Sequence, residues 1–96
     1  MSGRIMITPQ ELNEGATYLR ARLAEMSQQV NDLNNRIMDI SGRWEGLSQG
    51  AYMNRYQELL PILRDTMPEV IEGLAMKLDA SADTMRETDE ALASSL

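Results

Sequence analysis

An all-α fold, a hairpin of two long antiparallel helices that dimerises into a four-helix bundle, is predicted by three features. Apolar residues recur at helical spacing in both halves of the chain. A glycine-containing break separates the halves, and a capping sequence stands where the first periodic stretch begins. The chain has 96 residues, 43% hydrophobic and 25% charged, which suits one soluble domain over residues 1–96 and disfavours disordered, collagen-like and membrane-spanning classes.

The first helix is expected over about 9–40. In Thr8-Pro9-Gln10-Glu11, Thr accepts from an unpaired helical N–H, Pro opens the first turn and Glu bonds back to the cap. From there Leu12, Ala16, Leu19, Leu23, Met26, Val30, Leu33, Ile37 and Ile40 follow alternating steps of four and three. Such a heptad seam implies a left-handed supercoil against a partner helix. Ser41-Gly42-Arg43-Trp44-Glu45-Gly46 then breaks the pattern over about 41–46, with Gly42 expected in the left-handed conformation that closes a helix.

The second helix is expected over about 47–92, followed by a frayed tail. Tyr56, Leu59, Leu63, Val70 and Leu74 form a row able to face the first helix, while Met53, Leu60, Met67, Ile71 and Leu78 lie to the side. Pro61 and Pro68 each delete a helical hydrogen bond, so a bend or short break is expected between them. Near the end, Asp79, Asp83 and Glu87 repeat every four residues, which reads as a solvated acidic face.

Composition removes most chemistry. There is no Cys and no His, so no thiolate nucleophile, no Cys-based zinc site and neither the commonest general base nor the commonest metal ligand. The acidic row lacks the Gly and spacing of a calcium loop, and a slim hairpin offers little concavity to separate carboxylate pKa values. No enzyme, cofactor or metal is expected. Nine basic against fifteen acidic residues give a net charge of −6, the wrong sign for nucleic acid or anionic lipid. No stretch reaches the roughly 18 apolar residues of a membrane span, and Met1–Ile7 lacks the apolar run of a secretory signal.

Two helices cannot cover the broad apolar surface of the second half, and chains under about 100 residues gain disproportionately from pairing. A two-fold dimer is the economical solution, with Tyr52, Tyr56, Leu60, Met67 and Ile71 as interface candidates. A monomeric three-helix bundle is the alternative.

Trp44-Glu45-Gly46, a W-x-G motif joining two long helices in a chain of about one hundred residues, resembles the WXG family of small early-secreted-antigen-like proteins. The tail extends the resemblance, because Met85, Asp89, Leu92 and Leu96 match the family's hydrophobic, acidic, hydrophobic, hydrophobic spacing, with Met85 where Tyr often stands. The resemblance implies a helical hairpin, pairing into a four-helix bundle with itself or a sister WXG protein, and recognition by a type VII secretion ATPase. It implies a protein made in the bacterial cytoplasm and exported folded, without a cleaved signal peptide. Trp44 and Gly46 would then serve as turn and secretion motif, with Met85, Asp89, Leu92 and Leu96 as export signal. An intracellular adaptor forming a heteromeric bundle with a larger toxin or sister protein is the alternative reading.

Overall fold

The computed structural model describes residues 6–95, and the side chains of all of these except residues 91–93 and 95. Among them every regular element is helical: α1 (Pro9–Gly42), α2 (Leu47–Pro61), a π-helical turn (Ile62–Thr66) and α3 (Met67–Ser95). Thr8 and Glu11 cap α1 reciprocally: the Glu11 N–H donates to Thr8 Oγ1 at 3.1 Å, and the Thr8 N–H donates to Glu11 Oε1 at 3.3 Å. The glycine expectation at the far end is corrected. Gly42 is the last residue of α1, and the left-handed backbone belongs to Gly46, at φ 120° and ψ 170°. The turn is therefore set by the residue that opens α2.

The helices form two compact units. The first combines Met1–Ala21 with Ile71–Leu96, and the second is Arg22–Val70. Within each, the paired positions run in opposite directions, Asn13 with Asp79 and Arg20 with Glu72 in the first, Asn34 with Tyr56 and Ser41 with Gln49 in the second. The first unit is held by small residues. Ala16, Ala75 and Ala82 have no exposed surface, and a Cβ on Gly15 would stand 3.2 Å from Leu78 Cδ1. Leu12, Leu19, Ile71 and Leu78 are half-buried beside these small residues and complete the covered surface of the unit. The second unit is centred on Tyr56 and Leu60, 7% and 9% exposed.

The covered positions correct the expected faces. On α1 they follow the seam through Leu12, Ala16, Leu19, Leu23, Met26 and Val30, and then pass to Asn34, Ile37 and Ser41. Leu33 and Ile40 lie one position outside, 47% and 42% exposed. A straight helix drifts about 20° per heptad, so a row begun at Leu12 leaves the facing side after about three heptads.

On the second arm the covered positions are Met53, Tyr56, Leu60 and Leu63, then Pro68, Ile71, Ala75, Leu78, Ala82 and Met85. All steps are three or four except the five-residue step from Leu63 to Pro68. That step spans the π-helical turn, where the Met67 N–H donates to the carbonyl of Ile62. A wider turn takes up one extra residue and keeps a single line covered. It also relieves Pro68, whose ring in an α-helix would press on the carbonyl four residues earlier. Leu59, Val70 and Leu74, expected to face the first helix, are instead 40%, 56% and 55% exposed. Met53, Leu60, Ile71 and Leu78, expected at the side, occupy the covered line.

Candidate functional site

The turn between α1 and α2 is built from its backbone outward. The N–H groups of Arg43 and Trp44 donate to the carbonyls of Ile40 and Ser41 at 3.1 and 3.2 Å, which winds the chain tightly off α1. Gly46 then takes a conformation essentially closed to other residues. The Trp44 ring is half-buried and packs on Tyr52, with centroids 5.5 Å apart and planes at 45°. Ser41 accepts from the Gln49 side chain, tying the end of α1 to α2. Leu47, one residue past the glycine, is 98% exposed.

Within the second unit, most of the exposed apolar residues, Met38 and Leu47 apart, lie on one broad side. On α1, Leu33 and Ile40 each stand one residue before a covered position; so do Tyr52 and Leu59 on α2 and Ile62 at the start of the π-helical turn. One residue back rotates a side chain by about 100°, and in two antiparallel helices those rotations carry both sets to the same side. Met67 and Val70 continue the row beyond the π-helical turn, 38% and 56% exposed. Of the five interface candidates, Tyr52 and Met67 thus belong to an open surface, whereas Tyr56 and Leu60 are buried within their own chain and Ile71 is partly covered. Tyr56 also spends its hydroxyl there, donating to Asn34 Oδ1 at 2.6 Å.

The first unit carries a polar ladder. Arg20 donates to both carboxylate oxygens of Glu72 through Nε and Nη2, at 3.0–3.2 Å, and to Asp79 Oδ2 through Nη1 at 2.8 Å. Asn13 donates to Asp79 Oδ1 and accepts from Arg86, each at 2.6 Å. Hydrogen bonds from Arg20 and then Asn13 hold the Asp79 carboxyl below the usual carboxylate range. Donating to Glu72 and then to Asp79 in turn raises the Arg20 guanidinium above its ordinary value. Asp79 is therefore no member of a plain solvated acidic face, which corrects that expectation. Sequence reading missed this network because its partners are 52 to 73 residues apart. The available signal was the heptad spacing of Asn13 and Arg20 and of Glu72, Asp79 and Arg86.

Of the tail positions, Met85 is half-buried on α3 and Asp89 is exposed one turn later. The side chain of Leu92, and Leu96 altogether, lie outside the described residues. Among the described residues no group of His, Cys, Asp or Glu could hold a metal ion, and no helix is long and apolar enough to cross a membrane.

With this geometry in view, similarities to known proteins agree. Protein YukE of Bacillus subtilis is 32% identical over 96 residues, covering all of this chain and 98% of that protein. The type VII secretion system extracellular protein A of Staphylococcus aureus MRSA252 is 23% identical over 88 residues, 92% of this chain and 90% of that one. Among solved structures, Geobacillus thermodenitrificans EsxA superposes with a TM-score of 0.73 at 29% identity, covering 97% of this chain and 99% of that one. The secreted protein EsxB of Bacillus anthracis gives 0.74 at 28% identity over 91% and 98%. The family described as proteins of 100 residues with WXG matches residues 4–90. A W-x-G turn whose glycine is demanded by the backbone, in an all-helical chain that matches these proteins over most of its length, places the chain in the WXG100 family.

Proposed function

We propose that this chain is a non-enzymatic substrate of a bacterial type VII secretion system, exported folded and as a pair of chains. The observation that carries the reading is the W-x-G turn, with Gly46 at φ 120° and Trp44 seated on Tyr52, in a chain similar to the S. aureus type VII extracellular protein and to B. anthracis secreted EsxB. Trp44 and the Met85, Asp89, Leu92 and Leu96 positions of the tail are its export determinants, read by the secretion ATPase.

The open apolar side of the second unit, with Leu33, Ile40, Leu59 and Ile62, is the surface we assign to a second copy or sister chain.

The test is the distribution of the protein between washed cells and culture supernatant, with and without the secretion ATPase and with a cytosolic marker for lysis. The expected result is ATPase-dependent appearance outside. Trp44→Ala and Asp89→Ala variants that remain folded should stay inside. Retention of the wild-type chain, or unchanged export of both variants, would overturn the reading.

A further inference from the structure

Two rows compete for the covered face of α3. The covered row is Pro68, Ile71, Ala75, Leu78, Ala82 and Met85, and it follows Leu63 by the five-residue step of the π-helical turn. In an uninterrupted α-helix the positions that share the face of Leu63 are instead Met67, Val70, Leu74, Lys77 and Ser81, by steps of four and three. This second row stands one residue before the first, so a rotation of the helix by about 100° exchanges them. Met67 and Val70 in the second unit, and Leu74 in the first, are exposed.

The first turns of α3 favour the row that is left outside, because Met67, Val70 and Leu74 offer more apolar surface than Pro68, Ile71 and Ala75. The later turns reverse the balance. Lys77 and Ser81 would replace Leu78 and Ala82 on the covered line, and a covered ammonium without a partner is strongly unfavourable. The polar ladder acts in the same direction. Asn13 and Arg20 each stand one residue after a covered position of α1, and Glu72 and Asp79 one residue after a covered position of α3, so all four flank the covered line on one side of the first unit. Turning α3 to bring Leu74 inward would carry Glu72 and Asp79 to about 200° from that line, out of reach of Arg20. Fixing register is the best-attested use of such polar contacts between helices.

We propose that the ladder and Lys77 lock α3 in one of two rotational phases, and that the π-helical turn is the joint that accommodates the locked phase. The consequence is presentation. Met67 and Val70 stay outward as the continuation of the open row of Leu59 and Ile62, and Leu74 stays outward on the first unit. The occupant of this row is a second copy of the chain, which rests on the pairing proposed above. Unlocked, the joint closes into α-helix, the same three side chains pack on α1 and the row is withdrawn.

The test uses single cysteines, since the chain has none of its own. Val70→Cys and Ile71→Cys are made separately in the Leu59→Asp background, at a concentration where light scattering gives the monomer mass, and their rates with a thiol-reactive dye are compared. In the locked phase Val70→Cys should react about tenfold faster, because a covered thiol reacts only through local opening. Adding Arg20→Gln, Lys77→Leu and Ser81→Ala should reverse the order with helix content unchanged. Should that combination fail to fold, Arg20→Gln alone decides, the Val70→Cys rate falling as the Ile71→Cys rate rises. An unchanged order, or a rise in both rates, which marks loosening without rotation, would overturn the lock. The occupant is tested without Leu59→Asp, where the Val70→Cys rate should fall across the concentration range in which the mass doubles. A constant rate across that range overturns the assignment of the row to a second copy. A mass that never doubles overturns the pairing itself, and the order of rates in the Leu59→Asp background still decides the lock.

Discussion

Replacing Gly46 with alanine separates backbone strain from packing. At φ 120° and ψ 170° this residue occupies a region that only glycine visits readily. An added Cβ would meet no atom within 4 Å, so no steric clash contributes. Holding alanine there costs about 1–3 kcal/mol. The less flexible unfolded chain offsets about 0.4–1 kcal/mol of this. The net loss is about 1–2 kcal/mol, a fall in melting temperature of roughly 5–15 °C for a chain of this size. Gly73 provides the internal control, since it lies inside α3 with open space around it. Gly73→Ala should raise stability by about 0.5–1 kcal/mol, because alanine loses less conformational freedom in a helix. The two changes lie in separate units, so the double variant should be additive within about 0.5 kcal/mol. The assay is thermal unfolding by far-ultraviolet circular dichroism at one fixed protein concentration, because the proposed pairing would make melting concentration-dependent. A Gly46→Ala variant melting at or above the wild-type temperature would refute the strain argument.

Four further outcomes are expected. Tyr56→Phe removes the donor to Asn34 inside the second unit and should cost about 1–2 kcal/mol by chemical unfolding, with recovery when Asn34 is also made apolar. Leu60→Asp should prevent folding, whereas Leu59→Asp, one residue away on the open side, should leave helix content intact and lower only the mass seen by light scattering. Because the Asp79 carboxyl titrates lower in the fold than its unfolded value of about 3.9, its stabilisation is complete above that pH and is lost as pH falls through the lower, folded value; Arg20→Gln should flatten that acid limb in pH-dependent melts. Pro68→Ala should raise stability yet leave the π-helical turn in place, because the extra residue persists; a crystal structure showing uninterrupted α-helix over 62–66 would contradict this.

The Thr8–Glu11 cap, the helical periods on either side of the break and the Trp44-Glu45-Gly46 turn were all legible from residue order, because each depends on neighbours within about one helical turn. Periodicity marks a helix without stating which of two adjacent apolar rows is covered. Leu59 and Leu60 are alike as residues, and only the buried line through Tyr56 and Ala75 made one exposed and the other buried. The alanines at 16, 75 and 82 carry little hydrophobic signal, yet they are the residues fully covered in the first unit, because a small side chain is hidden completely where a larger one keeps an exposed edge. The departure of Leu33 and Ile40 from the seam reflects a phase drift that accumulates over heptads. Arg20, Glu72 and Asp79 read as unrelated surface charges until antiparallel register brought them together. Local order in the chain thus set where helices begin, turn and end, while their mutual registry chose the faces, since contacts between residues fifty or more positions apart depend on every residue of rotation in between.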